Sequence, residues 1–446
     1  MKWIIFAIAV AGVLPLAQWL RRNPHLTAKA WILFGFLPFA YNPHIALIDW
    51  AGWPGYVQGI LATGLDLLAL TLFINLPKAK RPAPFRIVMG LYFIAMVVSI
   101  FQSDVPMASM FYPWQLLKVY FVYIVVRRAS SDEHVLDAIL TGMTIALCFE
   151  VVMAGWQRMG HDVARAAGSF GDKNLLGFVT EFAILTPFAL LLAGRRSWQT
   201  TVAPIAGMLI AILTASRAAI GFSTIGLVLV FLGSSLRKWT PKKASVLFKG
   251  VIVFSLLAPF AWYSLQERYA QEPIPAADER VLFNRAAEMI LSDHPFGVGT
   301  NNYVIIANSG GYSERAGVPW TSSVAIVHSV YWLTAAETGY FGLIALVLLW
   351  VRINFVSLRC GWKYTDDVRG DMLLGLGVTL VIVALHNAYE WVFLVYSVQY
   401  LFGITAGLVA GLSEQLGYWG TPQQVAHRRS FLHDRSLRTP SAIDPV

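Results

Sequence analysis

Charge is what this sequence has least of. Only 13% of its 446 residues are Asp, Glu, Lys or Arg, about half of the roughly 25% that a soluble domain carries. Hydrophobic residues make up 57% and the mean hydropathy is +0.59, so lipid must solvate the apolar surplus. Cysteine is scarce too. Two residues, Cys148 and Cys360, exclude a disulfide framework and a cysteine metal cluster. The first falls inside an expected span and the second in an expected cytoplasmic loop, both as free thiols. Internal repeats and an HExxH pair are also missing. So is the alternation of barrel strands: the apolar segments are continuous and about 20 residues long, the length an α-helix needs to cross a bilayer. The expected fold class is an all-α polytopic membrane protein.

Thirteen apolar runs read as spans, over 3–20, 30–48, 56–76, 87–101, 111–126, 135–157, 175–193, 202–215, 218–232, 247–265, 327–351, 372–388 and 393–412. Lys and Arg cluster in every second connection, around Arg21, Lys78, Arg127, Arg195, Arg237, Arg359 and Arg428. Retention of basic residues on the cytoplasmic side then orients the chain, and it accounts for the net charge of +9 without a nucleic-acid partner. The loops at 42–55, 102–110, 158–174 and 266–325, with the turn at Ser216 and Arg217, fall on the outer side. Thirteen spans put the N-terminus outside; merging or deleting one, the first above all, leaves about twelve with both ends inside. Residues 1–20 lack a small-residue cleavage site before Arg21 and Arg22, so they read as a span and not as a signal peptide. The chain divides into a membrane domain, 1–413, with the loop 266–325 inside it, and a basic, disordered cytoplasmic tail, 414–446.

The chemistry is expected around 266–340, the one long polar interruption. Against the positive-inside bias, Arg158, Arg165, Lys173, Arg217, Arg268, Arg280, Arg285 and Arg315 lie in the outer connections. An Arg fork there suits a diphosphate. Arg268 and Arg315 read as solvated loop charges. Arg217 differs: in LTASRAA it joins two apolar runs with almost no loop, a costly place unless an anion or acceptor meets it. His328 opens a span at the outer interface, where a neutral imidazole can serve as a general base or as a structural residue. Glu337, nine residues on, points about 180° away around an ideal helix, so no direct pair with His328 is expected. Gly339 and Gly342 fit close helix packing. His386 and Glu390 in HNAYE share a face at i,i+4 and suit a mutual structural hydrogen bond. Asp66, Lys118, Glu150 and Glu181 are intramembrane ionisable groups and candidates by default.

Four segments in order resemble the bacterial O-antigen ligase and polymerase family: GSFGDKNLLGF at 168–178, the LTASRAA turn, ERVLFNRAAEMILSDHPFGVGTNNY at 279–303 and VHSVYWLTAAETGYFG at 327–342. The resemblance covers mainly 168–342; the N-terminal part matches only as apolar helices. It implies a GT-C-like fold of 12–13 transmembrane helices with short helices in one long periplasmic loop. It also implies an inverting glycosyltransferase in the bacterial inner membrane that needs neither cofactor nor metal. The implied partners are an undecaprenyl-diphosphate-linked glycan donor, a lipid A–core acceptor and membrane lipids. Within the family the acceptor divides ligases from polymerases and protein O-oligosaccharyltransferases. Carried over, His328 is the base, Arg217 with Arg280 or Arg285 holds the diphosphate, and Asn174 with Lys173 shapes the substrate site. The family often has Trp four residues after the loop Arg, where this chain has Asn284; the spacing to Pro295 favours Arg280. A transporter or flippase of lipid-linked sugars is the rival class. It predicts repeat-related broken helices with midplane charges, a pattern this sequence lacks.

Overall fold

Long apolar runs can satisfy their backbone groups in lipid only as helices, and helix dominates the chain. The computed structural model describes residues 2–40, 42–79, 81–160, 163–271 and 275–420. The N-terminal half contains α1 (Lys2–Arg22), α2 (Pro24–Phe36), α3 (Gly64–Asn75), α4 (Arg86–Ser99), α5 (Pro106–Ala129), α6 (Glu133–Gly160), α7 (Lys173–Leu192) and α8 (Trp198–Leu213). Then come α9 (Arg217–Arg237), α10 (Pro241–Gln271), α11 (Pro275–Asp293), α12 (Tyr303–Ser309), α13 (Tyr312–Ala316), α14 (Val330–Lys363), α15 (Val368–His386) and α16 (Tyr396–Gln415). Among the described residues eight helices, α1, α5, α6, α7, α9, α10, α14 and α15, are long and apolar enough to cross a membrane. The helix α7 is buried along most of its length and packs against α8, α9 and α15, while α5 packs on α16 and α14 on α15.

Two expected spans, 30–48 and 56–76, prove to be only partly helical. The helix α2 stops at Phe36, where Pro38 enters a 3-10 turn. The apolar run HIALID is strand β1 (His44–Asp49), paired antiparallel with β2 (Gly59–Thr63) from His44 opposite Thr63 to Asp49 opposite Gly59. Among the described residues the fold is therefore helical with one two-stranded hairpin. A short apolar run alone does not distinguish strand from helix; the intervening WAGWPG turn decides for the hairpin. The next helix, α3, starts with a capping box in which Thr63 Oγ1 accepts from the Asp66 amide at 3.2 Å and Asp66 accepts from the Thr63 amide at 2.8 Å. Cys360 also departs from expectation: α14 runs on to Lys363, so this thiol is buried inside a helix and not in a loop.

The expected intramembrane charges are met by polar partners. Lys118 donates to Asp66 at 3.1 Å, to the Leu61 carbonyl at 3.0 Å and to the Tyr400 hydroxyl at 3.1 Å. Glu150 accepts from the Ser169 amide at 3.0 Å. At one end of the bundle the basic clusters meet carboxylates: Arg127 with Glu414 at 2.7 Å, Arg195 with Asp137 at 2.7 Å, and Arg237 with Asp371 at 2.8 Å. The long polar connection, α11 to α13, lies with the opposite helix ends. Residues 421–446, most of the expected tail, lie outside the described residues.

Candidate active site

His328 immediately precedes the capping residue of α14. The Ser329 hydroxyl accepts from the Trp332 amide at 3.5 Å, and the Val330 amide donates to the Asn387 carbonyl at 2.9 Å. This second bond ties the start of α14 to the connection between α15 and α16, which carries Glu390. The Glu390 side chain, only 4% exposed, faces two partners. Its Oε2 lies 3.4 Å from His328 Nδ1, and its Oε1 accepts from Arg280 Nη2 at 2.7 Å. Burial pushes the Glu390 carboxyl up, but the His328 hydrogen bond and the Arg280 charge outweigh it and hold the group below the usual glutamate range. His328 and Arg280 keep 26% and 36% of their side chains exposed, so both can reach a ligand.

The apolar stripe of α11 explains why Arg280 and not Arg285 joins this group. Phe283, Ala286, Ala287 and Ile290 are buried, and Phe283 sets its ring 6.0 Å from that of His328. Arg280 lies three residues before Phe283, on the same face. Arg285 is exposed, about 140° around the helix from Arg280.

The loop after α11 is clamped to a break in α14. At Gly339 the helix is interrupted, with φ 65° and ψ −167°. The Gly299 amide donates to the Glu337 carbonyl at 2.9 Å and the Tyr340 amide to the Pro295 carbonyl at 3.2 Å. The contact is too close for side chains: a Cβ on Gly339 would stand 2.2 Å from the Pro295 carbonyl oxygen, and one on Gly297 2.3 Å from that of Glu337. Gly339 thus serves loop docking, not the helix–helix packing expected of it. His328 lies before α14, so helical phase does not relate it to Glu337, which finds other partners. The Glu337 carboxylate accepts from the Tyr56 hydroxyl at 2.7 Å and the Tyr303 amide at 3.1 Å. Asn301 bonds the hairpin turn, accepting from the Val57 amide at 3.0 Å.

A second polar group surrounds the turn before α9. Ser216 caps the helix through the Ala219 amide at 3.4 Å, and the exposed Arg217 follows it. Arg268 donates to the Ala215 carbonyl at 2.8 Å, so it is a turn clamp and not a solvated charge. Arg165 donates to the Thr214 carbonyl at 3.2 Å and to Asn174 Oδ1 at 3.0 Å. Asn174 and Lys173 open α7, which Asp172 caps through the Leu175 amide at 2.7 Å. Arg158 bridges to Glu267 at 2.7 Å. Arg315, by contrast, stays half-exposed, 3.8 Å from Asp293.

Phe222, five residues along α9 from Arg217, links the two groups. Its ring lies 4.7 Å from His386 and 6.0 Å from Tyr389. His386 and Glu390 do not bond each other through their side chains as their spacing suggested. The helix α15 ends at His386, so the helical phase is lost before Glu390. The imidazole pairs instead with Glu181 at 2.7 Å. Among the described residues no three His, Cys, Asp or Glu side chains cluster closely enough to share a metal ion.

These features define a multi-pass membrane protein whose ionisable side chains gather where the long polar connection meets the helix ends. In comparison with known proteins, a family model described as O-antigen ligase matches residues 201–347. This match, over about a third of the chain, supports an assignment to the O-antigen ligase and polymerase family. The matched stretch includes Arg217, Arg280, Arg285 and His328; Lys173, Asn174 and Glu390 lie outside it. No curated protein matches the chain.

Proposed function

We propose that this protein is an O-antigen ligase of the GT-C type, working in lipopolysaccharide biosynthesis from the periplasmic side of the inner membrane. It transfers a glycan from undecaprenyl diphosphate to a sugar hydroxyl of lipid A–core, with inversion at the anomeric carbon. The observation that carries this reading is Glu390 joining His328 to Arg280, both of which lie in the stretch that matches the O-antigen ligase model. Glu390 on Nδ1 favours the tautomer that leaves Nε2 as a proton acceptor. In the transfer, Nε2 takes the proton of the acceptor hydroxyl while that oxygen attacks the anomeric carbon. The bond from that carbon to the diphosphate oxygen breaks, and undecaprenyl diphosphate leaves with the electron pair. Arg217 and Arg280 stabilise the charge that grows on the phosphate oxygens, and Glu390 stabilises the imidazolium. Asn174 and Lys173 line the donor side beside the Arg217 turn.

Both lipid substrates enter sideways from the outer leaflet, which suits a site at the helix ends. The test is expression in a ligase-deficient host followed by electrophoresis of its lipopolysaccharide. The wild-type chain restores an O-antigen ladder, whereas His328→Ala and Arg217→Ala reach the membrane but do not. Failure of the wild type overturns the ligase reading, and ladders from both variants overturn the site.

A further inference from the structure

Glu181 and His386 have no part in the transfer itself, yet they form an ionisable pair in the apolar interior. Their side chains are 0% and 2% exposed, with Nδ1 and Oε1 2.7 Å apart. Such a pair is a poor source of stability, because apolar residues of similar volume serve as well or better. Intramembrane ionisable groups are rare unless they have a task. The surroundings of this pair point to one.

The His386 ring lies between two phenylalanines. Phe178 of α7 is 4.6 Å away and Phe222 of α9 is 4.7 Å away. Phe178 is one helical turn from Asn174, and Phe222 is five residues from Arg217. The His386 carbonyl accepts from the Glu390 amide at 3.1 Å, and the neighbouring Asn387 carbonyl accepts from the Val330 amide, two residues after His328. One imidazole therefore touches both helices that bear the Arg217 group and carries the connection that bears Glu390. Apolar contact alone lets helices rotate and slide against each other, whereas the Nδ1–Oε1 bond fixes α15 against α7 at one rotation.

We propose that His386, held by Glu181, is a positioning residue that fixes the Arg217 group relative to the His328–Glu390–Arg280 group. Through it the diphosphate and the acceptor hydroxyl are brought into line for one displacement. The inference rests on the proposed transfer for its kinetics, so one arm of the test does without activity.

The chain bears one cysteine at Gly221, where a side chain meets open space, and one at the exposed Val281. Cys148 and Cys360 are replaced by serine, and spin labels report the distance between α9 and α11. His386→Phe, which fills the same space with a ring but removes the bond to Glu181, broadens that distance distribution. His386→Asn, whose amide can still donate to Glu181, keeps it narrow. In the transfer assay His386→Phe lowers kcat about 100-fold, the effect of roughly 1 Å of misplacement, with donor KM within about twofold of wild type. His386→Asn recovers at least a tenth of the wild-type rate. Glu181→Gln, which keeps an acceptor oxygen, outperforms Glu181→Leu.

An unchanged distance distribution in His386→Phe overturns the proposal, as do equal rates for the Phe and Asn variants or a loss confined to KM. If the wild type transfers nothing, the ligase reading fails while the distance arm still decides whether the pair orders the helices.

Discussion

Replacing Glu390 by glutamine removes one charge and leaves the shape, so it isolates what the carboxylate does for His328. The proposed transfer makes His328 an imidazolium, and its Nδ1 lies 3.4 Å from Oε2. At an effective dielectric constant near 20, that separation corresponds to about 5 kcal/mol of attraction. This is an upper bound, because the other carboxylate oxygen is engaged by Arg280 at 2.7 Å and a glutamine oxygen can still accept from Nδ1. A loss of about 3–4 kcal/mol in the transition state, or roughly 10²–10³ in kcat, is the expected result. Donor KM changes little, since Arg280 keeps its own charge. Glu390→Asp keeps the charge but withdraws it by one methylene, and it falls between wild type and glutamine. The assay is release of undecaprenyl diphosphate from a radiolabelled lipid-linked glycan by purified protein, with the folded fraction measured in parallel. A Glu390→Gln kcat within threefold of wild type refutes the reasoning.

Arg280→Ala lowers kcat/KM for the donor at least 100-fold, whereas Arg285→Ala stays within threefold; steady-state kinetics on both variants decides between the two loop arginines. Gly339→Ala forces a left-handed backbone and a contact of 2.2 Å with the Pro295 oxygen. It destabilises the protein by about 2–4 kcal/mol, read as a lower unfolding temperature in detergent. Because the folded-state pKa of Glu390 is depressed, the stability it contributes is fully present above the ordinary glutamate value of about 4.3 and is lost as pH falls through the folded value. Wild type therefore melts above Glu390→Gln near neutrality, and the gap closes in acid. A gap that widens in acid contradicts that assignment.

Apolar length makes most helices legible in the sequence, because a membrane span announces itself in about 20 consecutive residues. HIALID is not legible in this way: its four apolar residues serve a strand as well as a helix end, and the partner strand begins ten residues after Asp49. Arg217, Arg280 and His328 stand out as polar groups in costly or unusual places. The pairing within the site is hidden. Glu390 meets His328 across 62 residues and Arg280 across 110, while its nearest visible companion, His386, is drawn away to Glu181 across 205. Spacing reports contacts along one helix and says nothing of partners on another. The pairing of Arg280, and not Arg285, with Glu390 has a readable signal. Phe283, Ala287 and Ile290 mark the buried stripe of α11, and Arg280 lies in line with it. Gly339 suits helix packing in the sequence because nothing local shows that HPFGVG docks onto it.

The central claim is that a glycan leaves a lipid diphosphate for a hydroxyl activated by His328. It is tested most directly by reconstituting the purified protein in vesicles with an undecaprenyl-diphosphate-linked glycan and lipid A–core, then following both products by mass spectrometry. The account predicts glycosylated lipid A–core and free undecaprenyl diphosphate in equal amounts, with inverted anomeric configuration. Both are lost in His328→Ala, whose donor binding is retained. Equal turnover by His328→Ala, or donor consumption that never yields a glycosylated acceptor, would contradict it.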